Sequence, residues 1–449
     1  MGRLFGTDGA RGIANTELTP ELAMNIGRAV AMELISDSVE HPTFLIGKDT
    51  RLSGDMLEGA LIAGLTSVGA NVKLLGVVPT PAVAYLVKKY QADAGIMISA
   101  SHNPFEFNGI KIFSDEGFKL PDDLEEQIEA IVLDHKLPYK QAVDGNIGTV
   151  ERLSSAADDY IDHIAESIPS DLNGIKIAVD CSNGSSSVTA KKLFERLGAE
   201  VSVLYAEPDG VNINKNCGST HIENLQKYVL ENNLDAGLAF DGDADRCLAV
   251  DDKGNLVDGD YIIAILAADL KSRGKLKKNA VVGTVMTNMG FNKFCDDNGM
   301  KFVSTKVGDR YVLEAMVREG YNIGGEQSGH VIMLDFCTTG DGQLTGAMLM
   351  SLINRRSAKL SSIATLMERY PQVLINVKVS NEGKLAFYTD KEVKNEIKRV
   401  SEILGDRGRI LVRASGTEPL VRVMLEGEDL DEITKLAEET ANVIKERLA

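Results

Sequence analysis

The chain has 449 residues, 44% of them hydrophobic and 25% charged, which is ordinary for a soluble globular enzyme of about three domains, or four small ones. Its formal charge of −18, from 48 basic and 66 acidic residues, argues against nucleic acid or an anionic membrane as the main partner, but a local group of Arg and Lys could still hold an anionic substrate. No stretch approaches the ~18 apolar residues of a membrane helix, and MGRLFGTDGARG lacks an apolar secretory core, so a cytoplasmic location is expected.

Short β-rich runs alternate with amphipathic stretches, the pattern of βαβ units and largely parallel or mixed sheets. Thr19-Pro20-Glu21 opens the first helix, with Thr as N-cap, Pro at the first helical position and an acid in the first turn. Strand TFLIG (43–47), a helix from about Asp55, strand NVKLLGV (71–77), a helix near 81–90 and strands AGIMI (94–98) and GIKIF (109–113) follow. The cycle restarts with IKIAVD (175–180), a helix near 187–197, EVSVLY (200–205), a helix near 222–232 and LDAGLAF (234–240). It restarts again with AVVGTV (280–285), a helix near 290–298, MKFVST (300–305), a helix near 309–319 and YNIGG (321–325).

The tail differs: strand QVLINVKVS (372–380), a helix near 390–403, strands RILVRA (409–414) and LVRVMLEG (420–427), and a last helix. In that helix Ile433, Leu436, Ala437, Val443, Ile444 and Leu448 fall on one stripe. The expected fold is therefore α/β: three similar α/β domains with mixed sheets, 1–150, 151–255 and 256–370, plus a smaller α+β C-terminal domain, 371–449. Cys181, Cys217, Cys247, Cys295 and Cys337 are odd in number, widely spaced and without a CxxC pair. Reduced thiols fit best, and neither a disulfide frame nor a zinc site is suggested.

Four polar loops follow strand-like runs, where open α/β sheets gather ligands. In AGIMISASHNPFEFNGIK (94–111) an apolar strand runs into Ser99-Ala100-Ser101-His102-Asn103-Pro104. This reads either as a hydroxyl that accepts a phosphoryl group beside two donors or as a plain polar turn, and nothing local decides between Ser99 and Ser101.

In AFDGDADRCLAV (239–250), Asp241, Asp243 and Asp245 alternate. Same-side residues on a regular strand lie about 7 Å apart, so the segment must curl for three carboxylates to meet one ion at about 2.1 Å. Gly242 and Ala244 make that curl cheap. All-oxygen ligation with room for a phosphate suits Mg²⁺. An EF-hand fails, because Arg246 and Asp252 stand where Gly and Glu are required. A solvated acidic turn is the blander alternative, but three acids between the apolar runs LAF and CLAV would repel one another without a cation.

NIGGEQSGHVIM (322–333) brackets Glu326, Ser328 and His330 with glycines, either to read sugar hydroxyls or simply to turn a hairpin. VRASGTEPLVRVML (412–425) offers Ser415, Gly416 and Thr417 between Arg413 and Arg422, an anion cradle in an acidic protein.

These loops resemble the signatures of the α-D-phosphohexomutase superfamily. FGTDGARG (5–12), SASHNP (99–104), DGDADR (241–246), TKVGDRYV (305–312), GGEQSGH (324–330) and RASGTEP (413–419) run in that family's order from end to end. The resemblance implies four domains around one central cleft, with Ser101 as the phosphorylated serine. It implies one Mg²⁺ per subunit on Asp241, Asp243, Asp245 and the Ser101 phosphate. Glu326 and Ser328 match the sugar-reading loop, and Lys306 belongs with them as substrate-binding. Arg413, Ser415, Gly416, Thr417 and Arg422 match a distal phosphate clamp. Lys111, His330 and Arg246 match positions that handle protons or offset charge, and Arg11 and His102 join that catalytic set.

Gln327 resembles the glucosamine-phosphate branch, whereas Met is frequent there in mannose/glucose-phosphate relatives. The implied activity is interconversion of glucosamine 6-phosphate and glucosamine 1-phosphate through a bound 1,6-bisphosphate, supplying UDP-N-acetylglucosamine for cell-wall synthesis. A homodimer, and contact with a diadenylate cyclase in some bacteria, are implied by analogy alone. The rivals are a phosphomannomutase/phosphoglucomutase, a metal-dependent phosphatase using Ser101, and a phosphosugar sensor without turnover. A sensor would need neither SASHNP nor DGDADR.

Overall fold

Central parallel strands of an α/β sheet are apolar because helices cover their faces. Ala94–Ile98, Ala236–Phe240 and Ala280–Thr284 are buried along their whole length. The computed structural model describes residues 3–6, 8–34, 40–134, 141–415 and 419–449. Two compact units result: Met1–Met286 with Met300–Leu366, and Thr287–Gly299 with Met367–Ala449.

The first unit holds three mixed sheets of seven, five and four strands. In the first, Thr43–Lys48, Asn71–Val77, Ala94–Ile98 and Val150–Arg152 run parallel, and Phe107–Ser114, Gly9–Ile13 and Phe5–Gly6 continue it antiparallel. In the second, Lys176–Asp180, Glu200–Leu204 and Ala236–Phe240 are parallel, followed by antiparallel Cys247–Asp251 and Leu256–Val257. The third joins parallel Lys301–Thr305, Ala280–Thr284 and Ile323–Gly325 to antiparallel Val331–Met333. Each sheet thus repeats one device: a buried parallel strand, a polar loop, then an antiparallel return. SASHNP, DGDADR and GEQSGH are those three loops.

The second unit has an antiparallel sheet of Gln372–Lys378, Leu420–Gly427 and Gly408–Ala414, packed by Lys391–Leu404 and Leu430–Leu448. Along the last helix Ile433, Leu436, Ala437, Ile444 and Leu448 are buried and Val443 is half-buried, so the expected stripe faces the core. Thr19 Oγ1 accepts the amide of Leu22 at 3.2 Å, as expected of the cap of Pro20–Leu34.

Some elements lie beyond the sequence reading. Asp122–Asp134, Ala156–Ser167, Gly259–Ser272 and Gly342–Arg356 are helices that it does not single out. The strand Val150–Arg152 extends the first sheet past residue 150, and Leu256–Val257 extends the second past 255. The helix Met289–Asp297 belongs to the same unit as the C-terminal sheet. Asn288 caps it through the amide of Gly290 and also donates to the Tyr370 carbonyl at 3.0 Å.

Candidate active site

Ser101 follows the strand Ala94–Ile98 and adopts φ 51°, a left-handed conformation that costs a serine of order 1–3 kcal/mol and must be enforced by its surroundings. The turn separates the two serines. Ser99 Oγ points inward, donating to Asp49 Oδ2 at 2.6 Å and accepting the Ser101 amide at 3.0 Å. Ser101 Oγ faces the second sheet and donates to Asp241 Oδ2 at 2.6 Å. His102 Nδ1 lies 3.4 Å from Ser101 Oγ. Burial, with Arg246 and Arg11 nearby, pushes the His102 pKa down to about 4, so its ring is neutral at pH 7.

Asp241, Asp243 and Asp245 are buried, and each brings a carboxylate oxygen within 4.8 Å of the others. The curl differs in detail from expectation. The positive φ, 56°, falls on Ala244 and not on Gly242. Glycine is needed at 242 because a Cβ there would lie 2.6 Å from the Ser101 carbonyl oxygen. Asp243 Oδ2 accepts from Lys111 Nζ at 2.7 Å and Thr80 Oγ1 at 2.6 Å. Asp241 Oδ1 accepts the Arg246 amide at 3.1 Å.

Asp243 Oδ1 and Asp245 Oδ1 are buried without a hydrogen-bond partner. Burial raises the Asp241 pKa far above the usual range, and Asp245 and Asp243 push it further. Burial would raise Asp243 too, but the Lys111 ammonium overrides it and holds this pKa low. Orphaned oxygens from hard carboxylates, aimed together and mutually repelling, fit a small divalent cation.

Around the triad, charges of both signs interlock. Lys111, buried on the strand Phe107–Ser114, also reaches Asp8 Oδ2 at 3.0 Å and Asp245 Oδ2 at 3.4 Å. Asp8 pairs further with Arg11 and with Lys119, and Lys119 pairs with Asp309. His330 is buried with neither ring nitrogen hydrogen-bonded, and its Nε2 stands 3.6 Å from Asp309 Oδ2 and 3.9 Å from Asp245 Oδ2. Burial lowers the Arg246 pKa, but Asp241 and Asp245 more than restore it.

In the third loop Glu326 Oε1 accepts the Gly308 amide at 3.0 Å, and Ser328 Oγ is buried without a partner. Lys306 is exposed, its ammonium 5.6 Å from the centre of the Tyr311 ring. The structure therefore brings Ser101, His102, Lys111, Arg11, Arg246, His330 and the three aspartates into one hydrogen-bonded and charged cluster. Glu326 and Ser328 sit on the hairpin that leads to His330.

In the second unit Arg413 and Arg422 stand directly opposite each other on neighbouring antiparallel strands. Burial and the Arg422 charge hold the Arg413 pKa below its usual value. The Ser415 amide donates to the Leu420 carbonyl at 2.8 Å, closing the hairpin. Gly416 and Thr417 lie outside the described residues.

Sequence reasoning passes over Asp8, Lys119 and Asp309, which complete the charge network, and Asp49, Arg51, Thr80 and Asn214, which hold its loops. Asp8 and Asp309 lie inside FGTDGARG and TKVGDRYV, strings already singled out. Lys48-Asp49-Thr50-Arg51 follows the strand-like TFLIG, the same placement that marks the other loops.

Comparison with known proteins shows the family. Models of the phosphoglucomutase/phosphomannomutase family match its α/β/α domain I at residues 2–138, domain II at 158–254, domain III at 258–370 and the C-terminal domain at 374–443. The chain belongs to this family. A phosphoglucosamine mutase of Acetivibrio thermocellus is 54% identical over 448 residues, covering 100% of both chains. Among solved structures, a phosphoglucomutase/phosphomannomutase family protein of Burkholderia thailandensis shares the fold with TM-score 0.82 at 23% identity, covering 99% of this chain and 97% of that one. An Aspergillus fumigatus N-acetylphosphoglucosamine mutase, solved with GlcNAc-6P and magnesium, has TM-score 0.70 at 16% identity, covering 99% of this chain and 96% of that one. Among the described residues no helix is long and apolar enough to cross a membrane.

Proposed function

We propose that this family member is a phosphoglucosamine mutase, interconverting glucosamine 6-phosphate and glucosamine 1-phosphate through a phosphoserine at Ser101. The observation that carries the reading is Ser101 Oγ at 2.6 Å from Asp241, in a left-handed turn aimed at a buried three-aspartate loop. The full-length match to phosphoglucosamine mutases supports the sugar, as does Gln327. On this reading its four domains are bounded near 150, 255 and 370.

Phosphoryl transfer asks for positioning and charge stabilisation more than covalent help. Asp241, Asp243 and Asp245 would hold Mg²⁺, which when bound neutralises charge on the phosphoryl group. The free hydroxyl of the substrate attacks phosphorus, the bond from phosphorus to Ser101 Oγ breaks, and a sugar 1,6-bisphosphate forms. The bisphosphate turns over and returns its other phosphate to Ser101 Oγ. Lys111, Arg246 and Arg11 offset charge on the travelling group, while His330 and His102 are placed to handle the hydroxyl proton. Glu326, Ser328 and Lys306 read the sugar. Arg413, Ser415, Gly416, Thr417 and Arg422 hold the phosphate that does not react. A cytoplasmic location, a homodimer and contact with a diadenylate cyclase belong to the same reading on resemblance alone.

Intact-mass and peptide analysis of active protein should find one phosphate, on Ser101. Ser101→Ala should lower turnover by orders of magnitude and Ser99→Ala by much less. Equal losses in the two, or phosphate only elsewhere, would sink the assignment. A panel of glucosamine, glucose and mannose phosphates, primed with the matching bisphosphates, separates this reading from a phosphomannomutase/phosphoglucomutase.

A further inference from the structure

The turn that presents Ser101 is gripped by its carbonyl oxygens. Arg51, its side chain fully buried, spends four of its five N–H donors there and the fifth on Asp49. Nη2 donates to the carbonyls of Ser101 at 2.9 Å and Asn103 at 2.8 Å. Nη1 donates to Pro104 and, at 3.1 Å, to Phe107, while Nε donates to Asp49 Oδ2 at 2.8 Å. From the other side Asn214 Nδ2 donates to the same two carbonyls, Ser101 at 2.9 Å and Asn103 at 3.0 Å. Asn214 lies in the chain between the second and third strands of the second sheet, its amide bonded to the Ser182 carbonyl at 2.9 Å.

We propose that Arg51 and Asn214 are positioning residues for phosphoryl transfer, forming a two-sided clamp that fixes the Ser101 turn against the metal-binding loop. This deepens the phosphoserine reading and rests on it. Both amide hydrogens of Asn214 and the outer four of Arg51 go to backbone carbonyls of residues 101–107, so the contacts set where the turn lies without touching Ser101 Oγ. Asp49 completes the grip by accepting Ser99 Oγ, which in turn accepts the Ser101 amide. The pair also joins two sheets: Arg51 follows the strand Thr43–Lys48, while Asn214 comes from the domain that carries Gly242, which packs under the Ser101 carbonyl. Lysine could not replace Arg51, because a point ammonium with three donors cannot span four carbonyls.

Kinetics of Asn214→Gly and Arg51→Lys in the full chain test the clamp. Glycine keeps the left-handed backbone of Asn214 (φ 60°) and removes only the amide. Asn214→Gly should melt close to the wild type, lose about 10²-fold in kcat and keep KM for glucosamine phosphate within about threefold, as a misplaced reacting group predicts. The rate at which Ser101 gains phosphate from glucosamine 1,6-bisphosphate, followed by intact mass, should fall by the same factor. Arg51→Lys should lose at least as much, and if it does not fold, Asn214→Gly decides alone. A folded Asn214→Gly with unchanged kcat and phosphorylation rate, or one that changes KM only, overturns the clamp. Wild-type protein that takes no phosphate on Ser101 overturns the phosphoserine reading, and the clamp with it.

Discussion

Asp241, Asp243 and Asp245 on one side, and Arg413 with Arg422 on the other, are like-charge groups of opposite sign built in different ways. The aspartates are buried, and the protein already supplies part of their neutralisation through Lys111 at 2.7 Å and the Thr80 hydroxyl at 2.6 Å from Asp243. The arginines are half-buried on adjacent strands of a hairpin, where like charges directly opposite each other are destabilising. A buried cluster must be nearly balanced before its ligand arrives, because an unpaired interior charge is far costlier than a solvated one. A half-exposed pair keeps part of its hydration, so two like charges can stand opposite each other there. On the proposed reading the first group therefore sets geometry for chemistry, and the second captures an anion that takes no part in bond breaking.

Removing the divalent ion should have the largest effect. Several kcal/mol of charge stabilisation would be lost, so EDTA should lower turnover by about 10³-fold or more, and Mg²⁺ should restore it. Asp243→Asn should weaken Mg²⁺ binding without unfolding the chain, since an amide oxygen can still accept from Lys111 and Thr80. Isothermal calorimetry with Mg²⁺ alone and a melting curve check the two halves separately. Full activity in metal-free protein would end the metal assignment.

Next in size is Arg422→Ala. A charge-assisted hydrogen bond worth about 1.5–3 kcal/mol corresponds to a loss of roughly 10- to 150-fold in kcat/KM. On the proposed reading the substrate binds in two orientations, so the arginine hairpin must accept a 6-phosphate in one and a 1-phosphate in the other. The loss should be similar in the forward and reverse directions, and smaller for an analogue lacking the distal phosphate. A loss in one direction only would mean that the clamp reads one isomer.

The same contrast between buried and half-exposed settings governs what was legible in the sequence. Strands announced themselves: NVKLLGV, AGIMI and LVRVMLEG are found at 71–77, 94–98 and 420–427 as read. Polar loops after them were visible too, because a hydroxyl or carboxylate run between apolar strands is conspicuous. Helices without a polar face were harder, although Asp122–Asp134 and Ala156–Ser167, which have one, were passed over too. Gly342–Arg356 is buried from Gly342 through Ile353 and gives no amphipathic period to follow. Charged residues that act at a distance in sequence were hidden for another reason. Asp309 meets Lys119 across 190 residues and Asn214 meets Ser101 across 113, separations that only the folded chain closes. Choosing Ser101 over Ser99 needed the family resemblance, because the left-handed turn that points them apart has no local signature.

The smallest effect to look for is a gain in stability. If the hairpin arginines are set opposite each other for a ligand, then removing one charge should relieve repulsion in the ligand-free protein. Arg413→Met is the suitable change, because methionine keeps an apolar stem to cover the strand while deleting the guanidinium. Cross-strand pairs of this kind are worth about 0.2–1 kcal/mol, so the ligand-free variant should melt at or slightly above the wild type. Inorganic phosphate should reverse the order, since a ligand at ten times its Kd stabilises the wild type by about 1.4 kcal/mol and a variant that binds weakly gains little. Scanning calorimetry of both proteins, with and without phosphate, gives all four values. A ligand-free variant clearly less stable than the wild type would show that Arg413 is there to pack or pair within the hairpin, and the parallel with the aspartate loop would fail.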